Sequence, residues 1–201
     1  MKLAVVTPPA EMPITLVEAK AHCRVDIDDD DTLINRCIAA AVDMVEKASG
    51  RALVTQTLRM SLDSFPWDNE RCAHDPVRLP RPPLQSIESF EYTDSTGATQ
   101  VLAPEDYQLD VDAAPGELHP AVGESWPSTQ SGKINAVRIT YVAGYGDAED
   151  VPAGLKQAVL LLVGHWYENR ETVAVGTISK ELEQAFGSLV GSFWHGWSFG
   201  G

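Results

Sequence analysis

The chain has 201 residues, a mass of 21.8 kDa and a formal net charge of −14. Hydrophobic residues make up 44% and charged residues 22%, which is typical of a folded globular chain and argues against wholesale disorder. The negative charge disfavours sequence-independent binding to nucleic-acid phosphates, because such binding needs a surface rich in Lys and Arg. The charge is consistent with simple solubility, and it is also consistent with a surface along which DNA moves without being bound.

The cysteines and the first residues predict where the protein is made. Cys23, Cys37 and Cys72 are odd in number and widely spaced, with no Cys-x-x-Cys pair, so reduced thiols are expected. The apolar run at residues 3–6 is too short for a signal-peptide core or a membrane span. We therefore expect synthesis and assembly in the cytoplasm, without a membrane partner.

Two helices are predicted near the N-terminus. Thr15 and Glu18 have the spacing of a capping box and predict a short helix over residues 16–25. The acidic run at residues 28–31 suits the positive end of a second helix, of about 18 residues, which Gly50 closes. The apolar stripe of this second helix follows the 3.6-residue period through Leu33, Ile34, Cys37, Ile38, Ala41, Val42 and Val45.

The middle of the chain has the pattern of an antiparallel β region. Residues 65–85 resemble a loop, and the prolines of LPRPPL at residues 79–84 exclude a helix or a central strand there. The predicted strands lie at residues 52–62, in a hairpin over 87–102 with its turn at 94–97, at 107–111 and at 136–142.

A third predicted helix completes the order of elements from which the fold class is inferred. Pro152 opens this helix, which reaches Asn169 or Arg170. The order of elements predicts an α+β fold, with a small helical core of two N-terminal helices plus the late helix, and an inserted antiparallel β region. The predicted domain spans residues 1–171, with the helical core at 13–50 and 151–171, the β insertion at 51–146, and a separate segment at 172–201.

The C-terminal segment combines large apolar side chains with weak helix propensity. Gly187, Gly191 and Gly196 interrupt its helical spacing, and each costs roughly 1 kcal/mol relative to Ala. Two interpretations stay open: the segment folds on contact with a partner, or it packs on its own domain. The apolar residues are Leu182, Phe186, Leu189, Val190, Phe193, Trp194 and Trp197.

The acidic run does not predict a metal site. Asp26, Asp28 and Asp30 occupy positions one, three and five of an EF-hand-like loop, but position six is Asp31 in place of Gly, and position twelve is Cys37 in place of Glu. A solvated helix start is the better interpretation. No metal and no cofactor are expected.

Catalytic patterns are present only as fragments. Residues 196–200 read GWSFG and fit a nucleophile elbow around Ser198, but no helix and no downstream histidine can follow. His165 and Glu168 share one helix face without further partners, so a structural role is favoured. We predict no catalytic residue and no enzyme activity.

Several segments together resemble the head-tail connector (adaptor) proteins of long-tailed phages and gene-transfer particles. They cover most of residues 13–171 in the family's order and spacing, whereas residues 172–201 match nothing that can be placed. The segments are PITLVEAKAH at 13–22, the acidic run leading to Leu33 and Ile34, residues 39–53 ending in SGRAL, QTL at 56–58, LPRPPL at 79–84, residues 137–146, and residues 151–171 ending in HWYENRE.

The resemblance implies a structural virion protein in the neck of the particle. It implies a ring of about twelve subunits, seated on the portal protein, surrounding the DNA channel and carrying a tail-side stopper protein below. DNA would pass through the channel without specific binding. Leu182, Phe186, Leu189, Phe193, Trp194 and Trp197 are the predicted portal-docking residues, because buried aromatics carry much of the energy of an interface.

Three other functions remain as alternatives. Another neck or tail component, such as a stopper or tail terminator, would also be acidic and ring-forming. A small hydrolase would use Ser198 or the His165/Glu168 pair. A regulatory protein acting on nucleic acid is disfavoured by the charge.

Overall fold

A computed structural model describes residues 1–66, 75–169 and 180–193. Short 3-10 turns at Pro104–Asp106 and Ala148–Asp150 supplement the longer elements. In chain order, the strands and helices of the described residues are β1 (Lys2–Thr7), α1 (Leu16–Cys23), α2 (Asp31–Ser49), β2 (Gln56–Leu62), β3 (Val77–Leu79), β4 (Leu84–Thr93), β5 (Thr99–Val101), β6 (Tyr107–Asp110), β7 (Gly116–Pro120), β8 (Val137–Ala143), α3 (Ala153–Glu168) and α4 (Lys180–Gly191).

The chain divides into two compact units. The β unit comprises residues 1–9 and 55–144, and the helical unit comprises residues 10–54 and 145–201. The predicted α+β class is confirmed, since helices and antiparallel sheets are both present. Residues 1–9, predicted as part of the domain but not as a strand, contribute β1 to the β unit.

The ends of the first two helices follow from local chemistry. Thr15 Oγ1 accepts a hydrogen bond from the Glu18 N–H at 3.2 Å, and Glu18 Oε2 accepts one from the Thr15 N–H at 2.7 Å. This capping box satisfies two free backbone donors at the start of α1. α2 ends at Gly50, whose φ of +69° is the left-handed conformation that glycine adopts most readily. Both predicted helices are confirmed.

The described helices of the helical unit share an apolar core. The predicted stripe of α2 supplies Ile34, Cys37, Ile38, Ala41, Val42 and Val45, and all six are buried. One face of α3 contributes Leu155, Ala158, Val159, Leu162 and Val163 to this core. Burial of such side chains contributes roughly 25 cal/mol per Å² of apolar surface removed from water, so the α2–α3 contact is the main stabilising feature of this unit.

The described residues of the β unit form two antiparallel sheets. The first has the strand order β1-β2-β8-β4-β5, and the second has the order β3-β7-β6. Aromatic rings fill the core of the unit: Phe65 stacks on Trp126 with ring centroids 5.0 Å apart, and Phe90 lies 5.7 Å from Trp126. Tyr141 is fully buried, and its hydroxyl donates to the Pro80 carbonyl at 2.7 Å.

Several strands depart from the predicted pattern. β2 begins at Gln56 instead of residue 52, because residues 52–54 are buried in irregular structure. β3 lies within the predicted loop at residues 65–85, and β7 was not predicted. β3 has three residues and β7 five, and both depend on pairing with each other, which no local pattern in the sequence shows.

Candidate functional site

The helix α4 packs against α3 and α2 within the helical unit. Phe186 and Val190 are buried in its core, and Leu189 packs against that core while half-buried. These residues follow an i, i+3, i+4 spacing, which places them on one helix face. Leu182 lies one turn earlier and is half-buried.

A buried arginine holds the residue that follows α4. The Nε–H of Arg51 donates to the backbone carbonyl of Phe193 at 2.8 Å, and the guanidinium lies 5.9 Å from the centroid of the Tyr145 ring. The Phe193 ring also lies against Gly154, where an added Cβ would come within 3.3 Å of it. A charged donor in a largely dry site makes a stronger hydrogen bond than a neutral one. The point at which the chain leaves α4 is therefore fixed.

The loop after α2 places this arginine. Ser49 Oγ accepts the Arg51 N–H at 3.3 Å, and the buried carboxylate of Glu46 accepts the Leu53 N–H at 3.0 Å. The Leu53 carbonyl in turn accepts the Tyr145 N–H at 3.0 Å. These bonds satisfy buried backbone groups that helix or sheet would otherwise pair, and they orient the Arg51 side chain toward the end of α4.

The predicted docking residues have different positions. Phe186 is in the core of its own chain, while Leu182, Leu189 and Phe193 are half-buried. Trp194 and Trp197 lie outside the described residues. Of the two interpretations that the sequence left open, packing on the chain's own domain holds for the described part of the segment, residues 180–193.

The acidic run at residues 28–31 is arranged around a lysine. Lys20 Nζ lies 2.6 Å from Asp28 Oδ1 and 2.8 Å from Asp31 Oδ1, and Tyr167 donates its hydroxyl proton to Asp30 Oδ2 at 2.8 Å. The lysine hydrogen bond lowers the pKa of Asp28, and the two aspartates raise the pKa of Lys20. Within residues 1–66, 75–169 and 180–193, no group of three or more His, Cys, Asp or Glu could hold a metal ion.

The fragmentary catalytic patterns are not assembled by the described structure. Asn169 Nδ2 contacts His165 Nδ1 at 3.3 Å and donates to the His165 carbonyl at 2.9 Å, which is a helix-end arrangement. Burial raises the pKa of the Cys23 thiol, with Glu168 adding to the effect, so this thiol is less reactive than a free one. Ser198 lies outside the described residues.

A family profile decides the identity of the chain. The profile of the phage gp6-like head-tail connector proteins matches residues 13–88 and 128–187. The match covers both N-terminal helices, α3 and most of α4, together with strands of the five-stranded sheet. The chain belongs to this family. The resemblance carried by the sequence segments is confirmed.

Solved structures share the connector fold over its whole length. A chain in the neck of an empty gene transfer agent (GTA) particle, computed with C6 symmetry, has a TM-score of 0.78 at 24% identity and covers 100% of this connector and 99% of that chain. A chain in the virion of a native GTA particle has a TM-score of 0.78 at 23% identity with the same coverage. A chain in the neck of a native GTA particle, computed with C12 symmetry, has a TM-score of 0.71 at 24% identity.

No curated protein sequence matches the connector significantly. Every helix in the described ranges is too short or too polar to cross a lipid bilayer. Sequence reasoning missed Arg51 as a positioning residue, because its partner is 142 positions away in the chain and no local pattern marks the pair.

Proposed function

We propose that this connector is a head-tail adaptor, a structural virion protein that forms a ring in the neck between the portal and the tail-side proteins. The observation that carries the proposal is the family match over residues 13–88 and 128–187. The likeness of the whole fold to chains of GTA necks and virions supports it. The protein is made in the cytoplasm and works in the assembled particle, where it performs no catalysis.

The ring surrounds the DNA channel. Neck structures computed with C6 and C12 symmetry contain chains of this fold, and these symmetries support a ring of about twelve subunits. A ring of one chain type requires that each subunit present two different, complementary faces. The net charge of −14 per subunit favours a wall along which DNA slides without specific binding, because like charges repel at short range.

The C-terminal segment is the proposed portal-docking arm. Arg51 and the core contacts of Phe186 and Val190 fix α4, so the residues after Phe193 start from a defined point. Trp194 and Trp197 are the residues in this segment with the largest apolar surface, and Trp is enriched among residues that dominate interface energy. Phe186 then holds the arm in place instead of contacting the portal, whereas Leu182 and Leu189 lie beside the docking site.

Binding to isolated heads tests the docking proposal. Purified connector is mixed with heads that carry the portal but lack neck proteins, and bound connector is measured after sedimentation. The native protein is expected to bind. The Trp194→Ala/Trp197→Ala variant is expected to lose at least about 90% of binding, because each aromatic anchor contributes at least about 1–2 kcal/mol to the binding free energy. Ile27→Ala, which shortens an exposed apolar side chain elsewhere, is the matched control.

The same assay separates the adaptor from the alternative neck component. A stopper would bind only after another neck protein is present, so native connector that fails to bind portal-bearing heads alone would contradict the adaptor role. Binding by the double Trp variant equal to that of the Ile27→Ala control would contradict the docking arm and leave the adaptor role standing.

A further inference from the structure

The strand β1 is an open edge of the five-stranded sheet. It pairs with β2 alone among the described strands, and all six of its residues are exposed. Its apolar side chains Leu3, Val5 and Val6 are between 37% and 51% exposed. Unpaired strand edges with apolar side chains are sites where other chains add, and proteins usually block them with charges or cover them. An edge with these features points to an interface.

The strand register shows that β1 extends the core side of the sheet. Leu3 lies opposite Met60, and Val5 lies opposite Leu58. Directly opposed residues of an antiparallel pair point to the same side of the sheet, and both β2 residues are fully buried. Leu3 and Val5 therefore continue the apolar core beyond the point where the chain covers it.

Basic residues occupy the other side of the sheet at the same edge. Lys2 lies opposite Ser61, and Arg59 lies opposite Ala4 on the next row. Arg138, one strand further in, lies between Ser61 and Glu91. All three cations are exposed. The chain has 15 Lys and Arg against 29 Asp and Glu, so Lys2 and Arg59 at the edge form a local exception to its negative charge. We call Lys2, Leu3, Val5, Val6 and Arg59 the β1 face, with Arg138 beside it.

The other end of the β unit has the opposite charge. β5 is the far edge of the same sheet, and the chain leads from it through one 3-10 turn into β6, which pairs only with β7 among the described strands. No Lys or Arg occurs at residues 101–112. The β6 face is defined here by the exposed valine, leucine and acidic side chains of this stretch, which are Val101, Glu105, Asp106, Leu109, Asp110, Val111 and Asp112.

We propose that the β1 face of one subunit packs against the β6 face of the next copy in the ring. The inference rests on the proposed ring, which requires two different faces in heterologous contact. The two faces are complementary. The β1 face has apolar side chains at a strand edge beside cations, and the β6 face has apolar side chains at a strand edge beside carboxylates. The opposite charges would align the two subunits and exclude pairings of like-charged faces, while the apolar side chains supply the buried surface.

Charge reversal of each face tests the contact. Lys2→Glu/Arg59→Glu makes the β1 face acidic, and Glu105→Lys/Asp112→Lys makes part of the β6 face basic. Neither Glu105 nor Asp112 has a side-chain hydrogen bond among the described contacts, so these positions avoid the local bonds of Asp106 and Asp110. The fourfold combination has complementary faces again and the native net charge. Each variant is supplied to cells that make the particles without the native gene, and joined particles are counted by electron microscopy.

Each double variant should reduce the number of joined particles at least about tenfold, because like-charged faces repel. The fourfold combination should restore joining, because the exchanged charges attract again. Arg36→Glu/Lys47→Glu, with the same charge change on the exposed surface of α2, is the matched control and should join normally. Thermal unfolding of each purified variant separates loss of the interface from loss of the fold.

Two outcomes would overturn the proposal. Double variants that join particles as well as the control would show that the ring closes through other faces. Contact between these two faces would also be contradicted if the fourfold combination failed to restore joining while each variant kept the thermal unfolding midpoint of the native protein. Both results differ from the result expected if the protein were not an adaptor. In that case, particles would still be joined after the gene itself was removed.

Discussion

Asp94 holds the turn of the β4–β5 hairpin. Its Oδ1 accepts hydrogen bonds from the Thr96 hydroxyl at 2.6 Å, the Thr96 N–H at 2.9 Å and the Ala98 N–H at 3.1 Å, and its Oδ2 accepts one from the Gln100 amide at 2.8 Å. These bonds, with the Thr96 hydroxyl contributing most, lower the pKa of Asp94 from 3.8 to about 2. The charged carboxylate is the form that the folded hairpin favours.

The lowered pKa predicts how Asp94 affects stability as pH changes. A carboxyl whose pKa is lower in the folded than in the unfolded state stabilises the fold above its ordinary pKa, and the contribution disappears as pH falls through the folded-state pKa of about 2. The urea midpoint of the native protein should therefore exceed that of Asp94→Asn at about pH 6, and the difference should shrink between about pH 4 and pH 2. Asp29→Asn, at an exposed position in the acidic run, is the control. A difference that is constant over this range would contradict the assigned role.

The attachment of α4 is a property of two distant elements. Arg51 in the loop after α2 donates to the Phe193 carbonyl after α4, and no other side-chain type has both the reach and the planar donor geometry of this guanidinium. Glu46 and Ser49 hold the loop in place. The end of α4 thus depends on a side chain that belongs to the N-terminal half of the chain.

Arg51→Lys is expected to loosen α4. Loss of a charge-assisted hydrogen bond in a buried site costs about 1.5–3 kcal/mol, so amide hydrogens of α4 should exchange about 10- to 100-fold faster by local opening. Strands β2 and β8 should keep their native exchange rates. Arg36→Lys on the exposed side of α2 is the control, and equal protection of α4 in both variants would show that Phe186 and Val190 alone hold the helix.

The helices could be predicted from the sequence because their signals are local. Thr15 and Glu18 are three residues apart, and the apolar stripe of α2 repeats regularly from Leu33 to Val45 before the helix ends at Gly50. β1, β3 and β7 could not be predicted, because each gains its stability from a partner strand elsewhere in the chain. β1 also lacks a clear alternation of buried and exposed residues, since all six of its residues are exposed.

The candidate site was predicted only in part for the same reason. Helical spacing placed Phe186 and Phe193 in one predicted docking segment, but spacing alone does not show whether an apolar face meets its own chain or a partner. Phe186 proved to lie in the chain's own core. The hydrogen bond between Arg51 and Phe193, and the charge pattern of the β1 face, depend on residues that only the fold brings together.

Both units of the molecule carry features of a subunit built for assembly. The helical unit fixes the start of the proposed docking arm, and the β unit carries two edges of opposite charge for the proposed contact between neighbours. Such interfaces are individually modest in area when they form only within a particle, so a purified subunit that is monomeric at micromolar concentration is compatible with a ring in the neck.

The most direct test of the adaptor role is electron microscopy of particles made in cells from which this gene alone has been deleted. We predict that heads and complete tails accumulate separately and that joined particles are nearly absent, because no other component is expected to bridge the portal and the tail-side proteins. A copy of the native gene supplied in the same cells should restore joining. Joined particles at the normal frequency in the deletion strain would contradict the proposed function.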